Sequence, residues 1–259
     1  MQKEAVKFKD SCIFEGMTSI RSTLRGIDEG VNDRPVRKIL FDRDKLKKIG
    51  KDIGYLRAVS EKYGFEICES SSGELDDLSL GTSHGGIIAI MGERSLSKLS
   101  LESPLPDRGF FAMIEGIEDP YNFGYSLRSL YAMGCDGIIL PERNWMSASG
   151  VVARSSAGAS ERLPMYTSDA ETAFGIFKNA GYKIVCAEEK TELVLGECEL
   201  KLPLLLVVGG EKRGISKAVL DLADIKVKIG YSREFHASLS AASATTMFAY
   251  EISRQNKYN

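Results

Sequence analysis

The residues best suited to chemistry lie in the second half of the chain. Residues 114–141 read as a strand, a polar loop, a helix and a second strand, and they carry Asn122 and Arg128. The six-residue spacing can bring an amide and a guanidinium to one end of the element, where loops that follow parallel strands bind ligands. The alternative is an ordinary loop and helix cap, for which Asp, Pro and Asn are common residues.

Two further stretches combine small residues with apolar runs. In residues 202–216 an apolar run leads into Gly209, Gly210 and Glu211. Glycine there permits either close approach of a ligand or a strand-end turn. Residues 225–251 contain a series of Ser and Ala that would let a helix pack close to a neighbouring backbone. Taken singly, none of the three stretches is specific for a function.

Several common kinds of active site are disfavoured by the sequence. The segment GGEKRGIS begins like a phosphate-binding loop, but Ile215 stands where the lysine would be. The sequence has no G-x-G-x-x-G after a first strand and no G-x-S-x-G nucleophile elbow. Its two histidines, His84 and His236, are far apart, which argues against a histidine-based metal site. Hydrolase and kinase functions are therefore weak hypotheses.

The elements that must position these residues indicate an α/β fold. The second half contains short apolar runs, several of them rich in Ile and Val, that are typical of parallel strands covered on both faces. These runs are residues 109–116, 134–141, 181–188, 202–210 and 225–231. The last twenty or so residues have a helical pattern.

The first half predicts a smaller α/β domain of alternating helices and strands. The predicted helices are residues 15–30 and 45–64, the second ending at Gly64, and the predicted strands are residues 36–42, 65–70 and 85–91. Residues 92–109 are polar and Ser-rich and hold two prolines, as linkers do. We therefore expect a domain over residues 1–95, a linker over 96–107 and a second domain over 108–259.

Composition limits the class of protein and the number of domains. The chain has 259 residues, 43% of them hydrophobic, with a formal charge of −2, which is typical of an ordinary globular protein of about two domains. Its five cysteines form no C-x-x-C pair, which favours a reducing compartment. No signal peptide or membrane span is predicted. We therefore expect a cytoplasmic protein with no metal and no membrane partner.

One stretch is strongly basic although the whole chain is not. Residues 34–62 contain ten basic and four acidic residues, a local excess of +6. The plain explanation is a solvated helix face; the alternative is a surface that follows a nucleic-acid backbone. The candidate RNA contacts are Arg34, Arg37, Lys38, Lys45, Lys47 and Lys48.

Together and in this order, the three stretches resemble the motifs of the SpoU, or TrmH, branch of the SPOUT RNA methyltransferases. DPYNFGYSLRSLYAMG is similar to the first motif, VVGGEKRGIS to the second and IGYSREFHASLSAASA to the third. VVARSSAGASERLP is similar to the segment after motif one in that family. EGMTSIRSTLR and HGGIIAI resemble the two ends of its ribosomal-protein-like RNA-binding domain. The resemblance covers nearly the whole chain.

This resemblance implies a fold, an activity and a set of site residues. The fold would be an N-terminal ribosomal-protein-like α/β RNA-binding domain and a SPOUT α/β domain with a C-terminal trefoil knot. The activity would be S-adenosylmethionine-dependent methylation of a ribose 2′-hydroxyl in rRNA or tRNA, by a homodimer whose site borrows groups from both subunits. The implied catalytic residues are Asn122, Arg128, Glu211, Ser238 and Ser240, and the implied cofactor contacts are Gly209, Gly210, Ile229 and Leu239.

The sequence departs from the family pattern at two places. The usual SLN reads Ser238-Leu239-Ser240, and the usual I-P-M reads Ile229-Gly230-Tyr231. Serine keeps one hydroxyl but lacks the amide pair of asparagine. An RNA-binding SpoU-like protein with little or no turnover is therefore the alternative, and a small-molecule α/β enzyme stands further behind.

Overall fold

The computed structural model describes residues 12–79, 84–141, 148–210 and 212–256. The chain forms two compact units. The first comprises Met1–Ser95 and Asn144–Arg162, and the second comprises Leu96–Arg143 and Leu163–Asn259. The chain therefore passes from one unit to the other three times.

The first unit is built on a mixed sheet. Its strands are β1 (Ile13–Glu15), β2 (Val36–Asp42), β3 (Glu66–Ser70) and β4 (Ile87–Met91), in the order β1-β4-β2-β3. Strand β4 runs antiparallel to both of its neighbours, whereas β2 and β3 are parallel. The predicted strands at 36–42, 65–70 and 85–91 are thus confirmed to within two residues.

Helices of this unit bury their apolar residues against the sheet. They are α1 (Gly16–Asp28), α2 (Leu46–Tyr63) and α3 (Ser72–Leu78). Ile20 and Leu24 of α1 and Ile53 and Leu56 of α2 share one buried cluster with Phe41 of β2. Helix α2 ends at Gly64, whose φ of 72° is the left-handed conformation that glycine adopts readily, as the sequence predicts.

Residues 148–162 also belong to the first unit. Helix α5 (Ser149–Ser155) packs on β1 and α1, and a 3-10 turn (Ala159–Glu161) packs on α1. Ala153 is part of the same buried cluster as the sheet. The compact units thus differ from the expected division, in which this segment continues the domain over 108–259.

A buried ionic cluster holds this segment in the first unit. Glu161 Oε2 accepts hydrogen bonds from Arg34 Nε at 2.8 Å and from Asn32 Nδ2 at 2.7 Å. Arg94 Nη1 donates to Ser160 O at 2.7 Å. Burial acts to raise the pKa of Glu161, but the charges and hydrogen bonds of its partners, with Arg34 foremost, hold that pKa below its ordinary value. Glu161 is therefore a buried carboxylate that stays ionised.

The second unit is built on a fully parallel sheet, as predicted from the short sequence runs that are apolar on both faces. Its strands are β5 (Ser97–Lys98), β6 (Phe110–Glu115), β7 (Gly137–Leu140), β8 (Met165–Thr167), β9 (Lys183–Ala187), β10 (Leu204–Gly209) and β11 (Ile225–Val227). Their order is β11-β9-β10-β6-β7-β8-β5. Strand β5 lies within the expected linker and pairs with β8, so residues 97–98 are part of this sheet.

Four helices of the described residues accompany this sheet. They are α4 (Pro120–Ala132), α6 (Ala170–Asn179), α7 (Lys217–Leu222) and α8 (Ala241–Asn256). Residues of α6, α7 and the strands form one buried cluster, in which the rings of Phe111, Phe177 and Tyr182 touch one another. Helix α8 packs on α4 and on β10. The predicted α/β class is confirmed for both units.

Candidate active site

A cavity of about 900 Å³ opens at the carboxyl ends of strands β9, β10 and β11. Its wall is formed by the ends of these strands, the loops that follow them, part of α7 and the start of α8. Ligand cavities in proteins have volumes of about 300 to 1,000 Å³, and open parallel sheets bind ligands at this edge. The cavity is therefore the candidate site of this unit.

The glycine loop after β10 forms one side of the cavity. A Cβ atom on Gly209 would lie 2.3 Å from the carbonyl carbon of Gly214, and one on Gly210 would lie 2.0 Å from Gly116 O. Gly210 N donates to Glu115 O at 2.7 Å, and Gly214 N donates to Gly210 O at 2.9 Å. Of the two explanations that the sequence left open, close packing of the strand-end turn against other backbone accounts for both glycines.

Ile229 and Leu239 also line the cavity. The backbone of Ile229 makes no hydrogen bond to another described residue, so its N–H and C=O are available at the cavity wall. The Leu239 N–H donates to Tyr231 Oη at 3.3 Å, which ties together the two ends of the loop before α8. The resemblance predicts cofactor contacts at Ile229 and Leu239, and both residues line the cavity.

The first motif is carried by helix α4, which is not part of the cavity wall. Asp119 caps this helix by accepting from the N–H groups of Tyr121 and Asn122 at 2.8 and 2.9 Å. Asn122 lies in the first turn, and Arg128 lies six residues, or about 9 Å, further along the axis. The expectation that the two side chains share one end of the element is therefore wrong, because the helix continues unbroken through Arg128. The Arg128 side chain is exposed and pairs with no carboxylate in the described parts of the chain.

The two serines of the third motif that were predicted to be catalytic have different surroundings. Ser238 is exposed on the cavity wall. Ser240 is not part of that wall; its Oγ accepts from Ser243 N at 3.2 Å, and its carbonyl accepts from Ala244 N at 3.0 Å. Ser240 thus caps α8, a role in which serine and asparagine are about equally effective. The departure from the family pattern at this position preserves the start of the helix.

The structure brings together one part of the predicted site. Gly209, Gly210, Ile229, Ser238 and Leu239 all line the cavity. Asn122, Arg128 and Ser240 do not. Glu211 lies outside the described residues, so its predicted role stays a prediction.

Charged side chains on the cavity wall were missed by the sequence analysis. The cations are Lys190, Arg213, Lys217 and Lys228, and the carboxylates are Glu188 and Glu189. None of these four cations is ion-paired within the part of the chain that the structure describes. They follow three different strands, β9, β10 and β11, so no local run of charge predicts them.

A thiol near the cavity can be set aside as a nucleophile. Burial, with a smaller contribution from Glu115, raises the pKa of Cys186 to about 12. A thiol with such a pKa is uncharged near neutral pH and is a poor nucleophile. Cys186 is therefore not a candidate nucleophile of this site.

The predicted RNA contacts of the first unit fall into three groups. Arg34 is buried and bound to Glu161, so it cannot reach a phosphate; its assignment as an RNA contact is corrected. Lys45 Nζ lies 3.1 Å from the buried carboxylate of Asp42, and Lys38 Nζ lies 4.0 Å from Glu66 Oε2. The remaining three are exposed and, among the described residues, have no ion-pair partner: Arg37, Lys47 and Lys48.

The described residues contain no group of three or more His, Cys, Asp or Glu side chains that could hold a metal ion. None of the described helices is long and apolar enough to cross a membrane.

A parallel α/β sheet with a cavity at the carboxyl ends of its strands defines a ligand-binding α/β protein. The model of the SpoU rRNA Methylase family matches residues 109–250, more than half of the chain. The 23S rRNA (guanosine-2′-O-)-methyltransferase RlmB of Shewanella oneidensis is 30% identical over 206 residues, which cover 76% of this chain and 82% of that protein. The chain belongs to the SpoU rRNA methylase family, and the resemblance found in the sequence is confirmed.

Solved structures agree on the fold. The crystal structure of an RNA 2′-O ribose methyltransferase has a TM-score of 0.76 at 22% identity, covering 94% of this chain and 88% of that one. The SpoU methyltransferase AviRb from Streptomyces viridochromogenes, in complex with AdoMet, has a TM-score of 0.73 at 22% identity, covering 94% and 89%. Both likenesses extend over nearly the whole chain, and at this identity they speak to the fold alone.

Proposed function

We propose that this SpoU-family protein is an RNA methyltransferase that transfers a methyl group from S-adenosylmethionine to a ribose 2′-hydroxyl in rRNA or tRNA. The observation that carries the proposal is the cavity whose walls are residues of the second and third motifs. The relative from Shewanella oneidensis is named for methylation of a guanosine 2′-hydroxyl in 23S rRNA, and the AviRb structure contains AdoMet. The protein would act in the cytoplasm, where these RNAs are.

The cavity fits an adenosyl cofactor. Its volume is sufficient, and Val208, Leu220 and Leu239 supply apolar surface for a flat ring. The free N–H and C=O of Ile229 offer a donor and an acceptor for the edge of that ring. When bound, S-adenosylmethionine supplies a methyl group on positively charged sulfur, which is electrophilic without further activation. The protein therefore has mainly to position the ribose oxygen in line with it, an effect worth about 7 to 11 kcal/mol.

Arg128 is the proposed positioning group for the ribose. A guanidinium is not deprotonated in proteins, so it cannot serve as the base. Its planar set of donors can hold the 2′-hydroxyl and a neighbouring phosphate together and favour the ionised form of the hydroxyl. The proton then leaves to phosphate or water. Asn122, Glu211 and Ser238 are the other proposed active-site groups.

A homodimer would resolve the separation of Arg128 from the cavity. The exposed surfaces of α4 and α8, which pack together, carry Tyr121, Tyr125, Met247 and Tyr250. Four large side chains exposed on one helix pair are typical of a protein interface. We propose that a second copy covers this surface, so that Arg128 of one subunit serves the cavity of the other.

The dimer is tested by light scattering coupled to gel filtration. We expect twice the chain mass for the native protein and a monomer for Tyr125→Asp, which places a charge in the interface. Leu101→Asp changes an exposed leucine outside α4 and α8, and it should stay dimeric. A monomeric native protein would refute this part of the proposal.

The trefoil knot is proposed for the end of the second unit. After β10 the chain forms β11 at the far edge of the sheet and then returns in α8 to pack on β10 and α4. This return of the C-terminal segment to the middle of the sheet supports the threading that the family resemblance implies.

The first unit is proposed to bind RNA through its exposed cations. Arg37 on β2 and Lys47 and Lys48 at the start of α2 are free to contact phosphate. The ribosomal-protein-like character of this domain is part of the same proposal.

The activity is tested by incubating the protein with labelled S-adenosylmethionine and rRNA or tRNA and mapping the 2′-O-methyl groups formed. We expect incorporation at one position. Calorimetry with S-adenosylmethionine distinguishes a methyltransferase from the alternative, a non-catalytic SpoU-like protein. Such a protein would bind RNA but not the cofactor.

A further inference from the structure

The loop between β11 and α8 presents two aromatic side chains at the mouth of the cavity. Tyr231 is 38% exposed and Phe235 is 56% exposed, and both line the cavity. Their ring centroids are 5.8 Å apart, with the ring planes at 70°. In such an edge-to-face pair one ring contributes only its edge, so both of its faces stay uncovered by the other ring. The loop therefore offers a flat apolar surface beside the cofactor cavity.

Tyr231 of this aromatic pair is tied to the cavity wall. Tyr231 Oη accepts the hydrogen bond of Leu239 N–H, and Leu239 is one of the proposed cofactor contacts. A ring held in this way is already ordered when a ligand arrives, so little conformational entropy is lost on contact. Tyr231 is thus an ordered part of this surface, and Phe235 packs against it.

The excess of cations on the cavity wall indicates that the site binds an anion in addition to the cofactor. Lys190, Arg213, Lys217 and Lys228 outnumber Glu188 and Glu189 on the wall. S-adenosylmethionine carries one carboxylate and two positive groups, so it adds net positive charge to a wall on which four described cations already exceed two carboxylates. A phosphate of the substrate would offset this charge, and Arg213 beside the glycine loop presents a planar set of donors for it.

We propose that Tyr231 and Phe235 form a stacking platform for the base of the target nucleotide, with Arg213 pairing with an adjacent phosphate. The proposal rests on the proposed function, because it places the base of the nucleotide whose ribose is methylated. Single-stranded RNA is commonly recognised by stacking of splayed bases on exposed aromatic rings. Tyr231, where the family has Met, thereby acquires a role in holding the substrate.

The test uses three variants at Phe235 and one control. Phe235→Ala removes the ring, Phe235→Leu keeps apolar bulk without an aromatic face, and Phe235→Trp enlarges the face. Leu222→Ala is the control, since Leu222 is similarly exposed but does not line the cavity.

The first measurement is calorimetric binding of GMP and UMP to the full-length protein saturated with S-adenosylhomocysteine, which keeps these probes out of the cofactor cavity. We expect affinity to fall about tenfold in Phe235→Ala, clearly in Phe235→Leu, and little in Phe235→Trp and Leu222→Ala. Equal affinities in the native protein and Phe235→Ala, or no nucleotide binding by the native protein, would overturn the platform.

The second measurement is methylation of rRNA or tRNA with separate determination of kcat and of KM for the RNA and for the cofactor. We expect Phe235→Ala to raise the KM for RNA about tenfold or more while the KM for S-adenosylmethionine stays unchanged. If the native protein methylates RNA and Phe235→Ala does so with unchanged constants, the platform is wrong and the proposed function stands. If the native protein binds the nucleotides through Phe235 but methylates no RNA, the proposed function is wrong and the platform stands.

Discussion

Arg34 in the first unit and Arg128 in the second were both singled out from the sequence, and the structure gives them opposite environments. Arg34 is buried and bound to Glu161, whereas Arg128 is exposed on α4 with no carboxylate partner in the described chain. Arg34 was selected by local charge density, and Arg128 by its place in an ordered set of motifs. Local charge density gives the number of cations in a stretch of sequence, but it does not show which of them pair with a carboxylate from a distant segment. The comparison shows that a basic run needs the fold before its members can be assigned to a ligand.

The largest expected effect comes from removing the partner of Arg34. Glu161→Gln leaves the buried Arg34 without its carboxylate partner, and we expect the free energy of unfolding to fall by about 3 to 5 kcal/mol. Urea denaturation measures this value. Glu29→Gln is the matched control, because Glu29 pairs with Arg162 at a more exposed position, where such pairs contribute about 0 to 1 kcal/mol.

The same pair predicts how stability depends on pH. Because the folded-state pKa of Glu161 is lowered, its contribution is fully present above the ordinary glutamate pKa. It is lost as pH falls through the folded value. Denaturation midpoints of the native protein should drop more steeply below about pH 4 than those of Glu161→Gln. Parallel curves would mean that Glu161 is not ionised in the folded protein.

Substitution of Arg128 should affect catalysis and leave the fold unchanged. We expect Arg128→Lys to lose about 10²- to 10³-fold in single-turnover rate, since lysine lacks the planar pair of donors. The thermal midpoint should stay within the error of the native value, because the side chain is exposed. Near-normal turnover in Arg128→Lys would contradict the proposed bidentate role.

Gly210 gives a smaller effect that combines structure with binding. A Cβ there would lie 2.0 Å from Gly116 O, so Gly210→Ala must displace the loop that lines the cavity. We expect a loss of about 1 to 3 kcal/mol in stability and weaker S-adenosylmethionine binding by calorimetry. Gly175→Ala in α6 is the control; its Cβ would meet no atom within 4 Å, and it should raise stability by about 0.5 to 1 kcal/mol.

The smallest effect per residue is expected on the exposed basic surface of the first unit. Lys47→Glu with Lys48→Glu should weaken RNA affinity and reduce the slope of its logarithm against log salt by about 2. S-adenosylmethionine affinity should not change. Lys62→Glu is the comparison, since Lys62 is already paired with Asp28 at 2.6 Å and should matter less for RNA. If substitution of a paired lysine weakened RNA affinity as much as substitution of an unpaired one, ion pairing would not decide which cations of the basic stretch bind RNA.

Local patterns predicted most of the secondary structure. Apolar runs located β2, β6, β9 and β10, and the end of α2 at Gly64 follows from the conformational freedom of glycine. The family was found from the order of three motifs, each too weak alone. Strand β5 was missed because two residues carry no periodicity, and their pairing with β8 depends on a distant segment.

What the sequence could not supply was contact between distant residues. Glu161 lies 127 positions from Arg34, and its segment lies between strands β7 and β8 of the second unit in sequence, so continuity placed it in the second domain. The cavity cations were likewise spread over separate loops. In contrast, the cap at Ser240 is a local contact, and its preference for Ser or Asn is readable once the start of α8 is known.

The three crossings of the chain between its units have a consequence for synthesis. When residues 1–95 have emerged from the ribosome, Glu161 has not yet been synthesised. At that stage Arg34 has no carboxylate with which to form its buried ion pair. By the time Glu161 emerges, β6 and β7 of the second sheet are already outside the ribosome. The first unit can therefore complete its buried ion pair only after part of the second sheet has been synthesised, and cutting the gene at residue 95 should yield a fragment that depends on chaperones or is degraded.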